Sequence, residues 1–192
     1  MRCCRNTKRA RFGALWLAAY LLFAPHWAAA AGVFVRTAET FLLEEVYRLN
    51  ANVDFRLNSS VIEALHNGVT LPLNMEIEIA RKRSYMWDET IATVSQQFLL
   101  AYEPLPRRYA VTNINNGSIT FYSSLYDAID AIGAIKNLRL IDAKALEPGS
   151  SYVGSIRSFL DIDRLPIALR MIAYANSNWR LGSEWYVWPI RD

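Results

Sequence analysis

The chain has 192 residues, 53% of them hydrophobic, and a formal net charge of +3. The positive balance sits at one end: five of the 21 lysines and arginines fall in the first 30 residues, leaving 16 cations against 18 acids. The rest of the chain is slightly acidic, so the pI of about 8.9 is no argument for nucleic-acid binding.

The opening segment carries Arg2, Arg5, Lys8, Arg9 and Arg11, then an apolar run from Phe12 to Ala24, then small residues. That is the layout of a secretory signal peptide. The run is shorter than the ~20 residues that cross a bilayer. A cleavage frame falls near Ala30 or Ala31. The sequence therefore predicts a signal peptide over residues 1–30 and one β-rich domain over 32–192, exported to the periplasm. The alternative is an uncleaved segment that anchors the domain to the inner membrane, which would be its only membrane contact. No Cys follows the run, against a lipoprotein, and no Arg-Arg pair precedes it, against a twin-arginine signal. Cys3 and Cys4 both lie in this segment. The expected mature domain thus has no thiol for a disulfide, a metal or a nucleophilic attack, and at about 160 residues it can bury enough surface without staples.

A first strand is expected over 33–43. In Y-R-L-N-A-N-V-D-F-R-L, apolar Tyr47, Leu49, Ala51, Val53, Phe55 and Leu57 alternate with polar residues, the pattern of a half-buried strand. Ser60 and Glu63 form a capping-box pattern, and Gly68 stops a short helix. Alternation returns at 71–79, with Asn74, Glu76 and Glu78 facing out, and again at 93–102. A hairpin is predicted from 107–114 and 118–122 around Asn115-Asn116-Gly117. Helical spacing covers 124–136, capped by Ser123 or Ser124. A strand follows at 151–162, a helix at 163–176 with Pro166 near its first turn, and a closing strand at 184–190. Some seven antiparallel strands with short helical connections predict a mainly β, sandwich-like single domain with two or three short helices. The rival is an α+β arrangement: one curved antiparallel sheet with helices on one face.

The ordered segments V-Y-R-L-N-A-N-V-D-F-R-L, E-A-L-H-N-G-V-T-L-P-L, W-D-E-T-I-A, R-Y-A-V-T-N, L-E-P-G-S-S-Y, L-D-I-D-R-L-P and S-E-W-Y-V-W-P span nearly all of residues 33–190. As a set they resemble the proteobacterial family called domain of unknown function 4390. The resemblance implies an exported domain with no established activity and supplies no catalytic residue. Family members are often encoded beside a transmembrane sensor histidine kinase, so the resemblance implies that kinase, or another envelope protein, as a partner.

The inventory of reactive residues is short. His66 is the single histidine after the signal segment, and its place near a helix end fits a favourable dipole contact better than catalysis. A zinc site would need carboxylates almost alone. Glu44-Glu45 and Asp88-Glu89 are adjacent on extended chain and point to opposite faces. Asp161 and Asp163 lack the further oxygen ligand and glycine of a calcium loop, and Asp163 is expected to cap the following helix. No catalytic residue, cofactor or metal is assigned.

Three features point instead to contact surfaces. Arg81-Lys82-Arg83 beside Trp87 offers cations and an aromatic to anionic headgroups or an acidic partner, or else a charged strand end that resists edge pairing. The helix bearing Arg170 is apolar almost all round and is expected to be buried between the sheet and the C-terminal segment. Trp179, Trp185, Tyr186 and Trp188 crowd the C-terminus. If 184–190 is extended, Trp185 faces one way and Tyr186 with Trp188 the other, and one row packs behind that helix. The function expected is a non-enzymatic periplasmic interaction module without nucleic-acid partners. The alternatives are a small-ligand or lipid carrier and, more remotely, a carboxylate-based hydrolase.

Overall fold

A computed structural model describes residues 32–190; the predicted signal segment lies outside them. The elements run β1 (Gly32–Leu43), β2 (Val46–Arg56), α1 (Ser59–His66), β3 (Leu71–Arg81), β4 (Glu89–Glu103), β5 (Arg108–Asn113), β6 (Ile119–Tyr122), α2 (Leu125–Gly133), β7 (Ala134–Asp142), β8 (Tyr152–Leu160), α3 (Ile167–Ala175) and β9 (Tyr186–Ile190). The strands form two antiparallel sheets, a smaller one ordered β1-β2-β7 and a larger one ordered β6-β5-β4-β3-β8-β9. The fold is mainly β and sandwich-like, and residues from both sheets share one hydrophobic core.

Alternation builds that core. Tyr47, Leu49, Ala51, Val53 and Phe55 on β2 are buried, as are Leu71, Leu73, Met75, Ile77 and Ile79 on β3. β1 obeys the same rule with one interruption. Val33 and Val35 pair with Phe55 and Val53, Arg36 is an extra residue at a register shift, and Ala38 and Thr40 then pair with Ala51 and Leu49. The bulge moves the inward phase from odd to even positions, as an inserted residue must when side chains alternate. Asn74 departs from its expected solvent position: it is buried on the outer face and accepts a hydrogen bond from the Ser95 hydroxyl at 2.9 Å.

Among the described residues there are nine strands, one more than the eight extended segments expected. The additional β7 takes over the last residues of the predicted 124–136 helix and continues to Asp142. α2 stops at Gly133 and β7 begins at once. The strand hid because its pairing with β2 shifts register twice and Asn137 has a φ of 54°, so its apolar residues never alternate cleanly. α1 is capped by Asn58, whose Oδ1 accepts from the Val61 amide at 3.0 Å, rather than by Ser60. Ser124, one of the two expected caps, caps α2.

The C-terminal helix differs most. α3 is not buried between sheet and closing strand: Met171 is 76% exposed, Ile167, Ile172 and Tyr174 are also exposed, and only Ala173 is buried. Its neighbours are the short turns that flank it, Ile162–Arg164 and Ser177–Trp179. β9 has taken the edge of the larger sheet, and its core-facing aromatic reaches β1 instead. Asp163 is not the helix cap either. Pro166 holds that position, and the Asp163 carboxylate accepts the Tyr174 hydroxyl.

Candidate functional site

The β3–β4 connection forms the first wall of the candidate site. Strand pairing ends at Arg81 and Glu89, and Tyr85, Met86 and Trp87 stand out from the tip, Trp87 being 94% exposed. The cations at its base are largely matched. Arg81 pairs with Glu89 at 2.5 Å and with Glu147, and Arg83 pairs with the same Glu89. The hydrogen bond from Arg81, and after it the one from Arg83, hold the Glu89 carboxyl below its usual range. Lys82 makes no ion pair among the described residues; its amide donates to the Ser151 carbonyl at 2.9 Å.

The outer face of the larger sheet supplies the floor and the second wall. Register sets Thr90, Ala80, Val153 and Pro189 in one row across β4, β3, β8 and β9, and Glu78, Ser155 and Val187 in the next. These are mostly short side chains, so the surface is low. It rises at Trp185, just before β9, where the Arg157 guanidinium lies 4.7 Å from the indole centroid. Arg157 is itself held by Glu76 at 2.5 Å. Between Trp87 and Trp185 lies an open trough of about 540 Å³ whose lining also includes Met86, Asp88 and Val187.

Of the residues nominated from sequence, Trp87 and Trp185 meet in this trough, and Arg81, Lys82 and Arg83 stand at the base of its wall. The others do not join it. Trp188 and Trp179 are core residues, 6% and 5% exposed. Trp188 faces inward because β9 pairs with β8 so that Trp188 lies over Gly154, and its Nε1 donates to Thr40 Oγ1 at 2.6 Å. Tyr186 shares that face and is only partly covered. Arg170 folds back on the residues just before its helix, donating to the Leu165 carbonyl at 2.7 Å. His66 meets the Tyr109 hydroxyl at 2.8 Å in a ring cluster with Tyr102. Burial first, and then the neighbouring Tyr102, raise the Tyr109 pKa. Sequence reasoning passed over Glu78, Ser155 and Val187. Their outward phase could be read, but the β3-β8-β9 order that gathers them could not.

A second cleft, of about 410 Å³, opens between β2, α1 and α2 over an apolar floor of Leu57, Ile62, Leu125 and Ile129. At its mouth Asp54 takes Arg36 at 2.5 Å and Arg56 at 3.0 Å. Burial alone would raise the Asp54 carboxyl, but the hydrogen bonds from Arg56 and Arg36 outweigh it and hold the group below its ordinary value. The stability this cluster contributes is complete above the ordinary carboxylate value and is lost as pH falls through the lower folded one. Asp54→Asn is expected to flatten the acid limb of a Tm-against-pH curve below about pH 4 and to cost about 1 kcal/mol at neutral pH. An unaltered acid limb would show that the pairing adds no stability.

Among the described residues, no three His, Cys, Asp or Glu side chains gather as metal ligands. No described helix is long and apolar enough to cross a membrane. No curated protein and no solved structure matches the chain. The family model described as Domain of unknown function (DUF4390) matches residues 30–189, nearly the whole of what the structure describes, and the chain belongs to that family.

Proposed function

We propose that this protein is a non-enzymatic, exported interaction module of the cell envelope that docks a partner protein in the outer-face trough. The observation that carries this reading is the placement of Trp87 and Trp185 on opposite sides of one open trough. Single exposed apolar residues are ordinary on any surface. A contiguous group of Trp, Met and Val around a concavity is the composition of a contact patch. The exported segment of a membrane sensor kinase is the partner that the gene neighbourhood of the family supports. The non-enzymatic reading is supported by the carboxyls whose pKa is displaced: Asp54 and Glu89 are both pushed down by arginines, whereas a carboxylic general acid needs to be pushed up.

Replacing Trp87 and Trp185 together by alanine is expected to abolish capture of the purified kinase segment at micromolar concentration. Stability should fall by no more than about 1 kcal/mol, because both are surface positions. Failure of the unmodified protein to capture the segment, or undiminished capture by the double variant, would defeat the reading.

The cleft between β2, α1 and α2 favours a second reading, a carrier of a small apolar ligand or lipid. Its volume lies within the ~300–1,000 Å³ range of ligand sites. Native mass spectrometry of the protein purified from cells should then show an adduct, and a bare mass throughout would remove the idea.

A further inference from the structure

We infer that the trough takes a basic, extended segment of a polypeptide, with lysine or arginine side chains lying between the Trp87 and Trp185 indoles and against the carboxylates of Glu78 and Asp88. This rests on the trough being the docking face. The sequence advertises cations here, yet the residues that line the trough carry the opposite sign. Arg81 and Arg83 are matched by Glu89 and Glu147. The trough lining itself holds two carboxylates and no lysine, arginine or histidine. Among the described residues the Glu78 carboxylate has neither hydrogen bond nor ion pair, and the Asp88 carboxylate accepts only the Arg83 amide, at 3.3 Å. Carboxylates and indole faces attract the same kind of ligand, the first by charge and the second by the negative face of the ring quadrupole. An anionic headgroup would meet two like charges instead.

The dimensions favour a chain over a single ammonium group. The floor crosses four strands, β4 to β9, which at ~4.8 Å between neighbours is about 14 Å. That is the reach of about four extended residues. Ala80, Val153 and Ser155 leave the floor low enough for a main chain to lie across it.

The test is calorimetric titration of the protein with oligolysine, oligoglutamate and tetramethylammonium, at low salt. Oligolysine is expected to bind and oligoglutamate not to. Combining Glu78→Gln with Asp88→Asn, or replacing Trp87 by alanine, should weaken oligolysine on the order of tenfold. Glu63→Gln, on an exposed turn of α1, should leave binding unchanged. Equal binding of both peptides, or oligolysine binding indifferent to the Glu78 and Asp88 changes, overturns the inference. Tetramethylammonium binding as tightly as oligolysine replaces the polypeptide with a small ammonium ligand. Binding to phosphatidylglycerol vesicles that is lost with Trp87, in place of oligolysine binding, assigns the trough to membranes. If oligolysine fails but kinase capture still depends on Trp87 and Trp185, the basic partner falls and the docking face stands. If the tryptophan variants leave both unchanged, both readings fall.

Discussion

Replacing Trp188 by alanine is expected to destabilise the protein by about 3–5 kcal/mol, the usual cost of emptying a buried large aromatic site. The side chain is held on three sides. Its indole covers Gly154 on β8 so closely that a Cβ there would lie 2.5 Å from Trp188 Cε2. Tyr186 packs beside it with ring centroids 6.4 Å apart. Its N–H donates to Thr40 on β1, so one residue on the last strand of the larger sheet fastens the first strand of the smaller one. Alanine removes the area and leaves the cavity between two sheets that cannot easily close on it. Phenylalanine keeps most of the area and loses the hydrogen bond, and it should cost roughly 1–2 kcal/mol beyond repacking. Denaturant midpoints for both variants separate these contributions. A loss below about 1 kcal/mol for alanine, well under the usual range, would show that the sheets are joined elsewhere.

Gly133→Ala is expected to cost about 3 kcal/mol, at the upper end for overpacking, because the obstacle is backbone. Gly133 ends α2 just as the chain turns into β7. A methyl group there would overlap the Val53 carbonyl oxygen, whose carbon is 3.1 Å from the same point. A flexible side chain could swing aside; the middle of β2 cannot, since it is paired with β1 on one side and β7 on the other. Relief would come by lifting α2 away from the sheet. Hydrogen exchange should therefore accelerate in α2 and at the start of β7 more than in β3 or β8. Uniform acceleration, or none, would contradict the close approach.

What could be read in the sequence was whatever depended on neighbours along the chain. The alternation through Tyr47–Phe55 and Leu71–Ile79 fixed two core strands, and Ser124 announced α2. Elements whose cause is distant were hidden. β7 was missed because its strand character comes from pairing with β2, through two irregularities that spoil its period. α3 looked buried because an all-round apolar helix has that preference, and no local signal told that β9 would pair with β8 and leave α3 beside its flanking turns. The candidate site divides the same way. Trp87 stood out as an aromatic beside a run of cations, and Trp185 as one row of the C-terminal aromatic cluster. Glu78, which gives the trough its sign, looked like an ordinary solvated strand residue until β3, β8 and β9 were side by side.

The Thr40–Trp188 hydrogen bond joins residues 148 positions apart, and this has a kinetic consequence. A contact of such sequence separation pays nearly the whole chain's closure entropy before it forms, which slows folding. When the chain emerges N-terminus first, β1 and β2 can pair early, but the β8 edge stays open until residues 186–190 arrive. Until then the molecule presents an unpaired strand of the kind that recruits other chains. The final strand thus decides how long the nascent protein is vulnerable to aggregation, and a chain stopped short of Tyr186 would keep that edge for its whole lifetime.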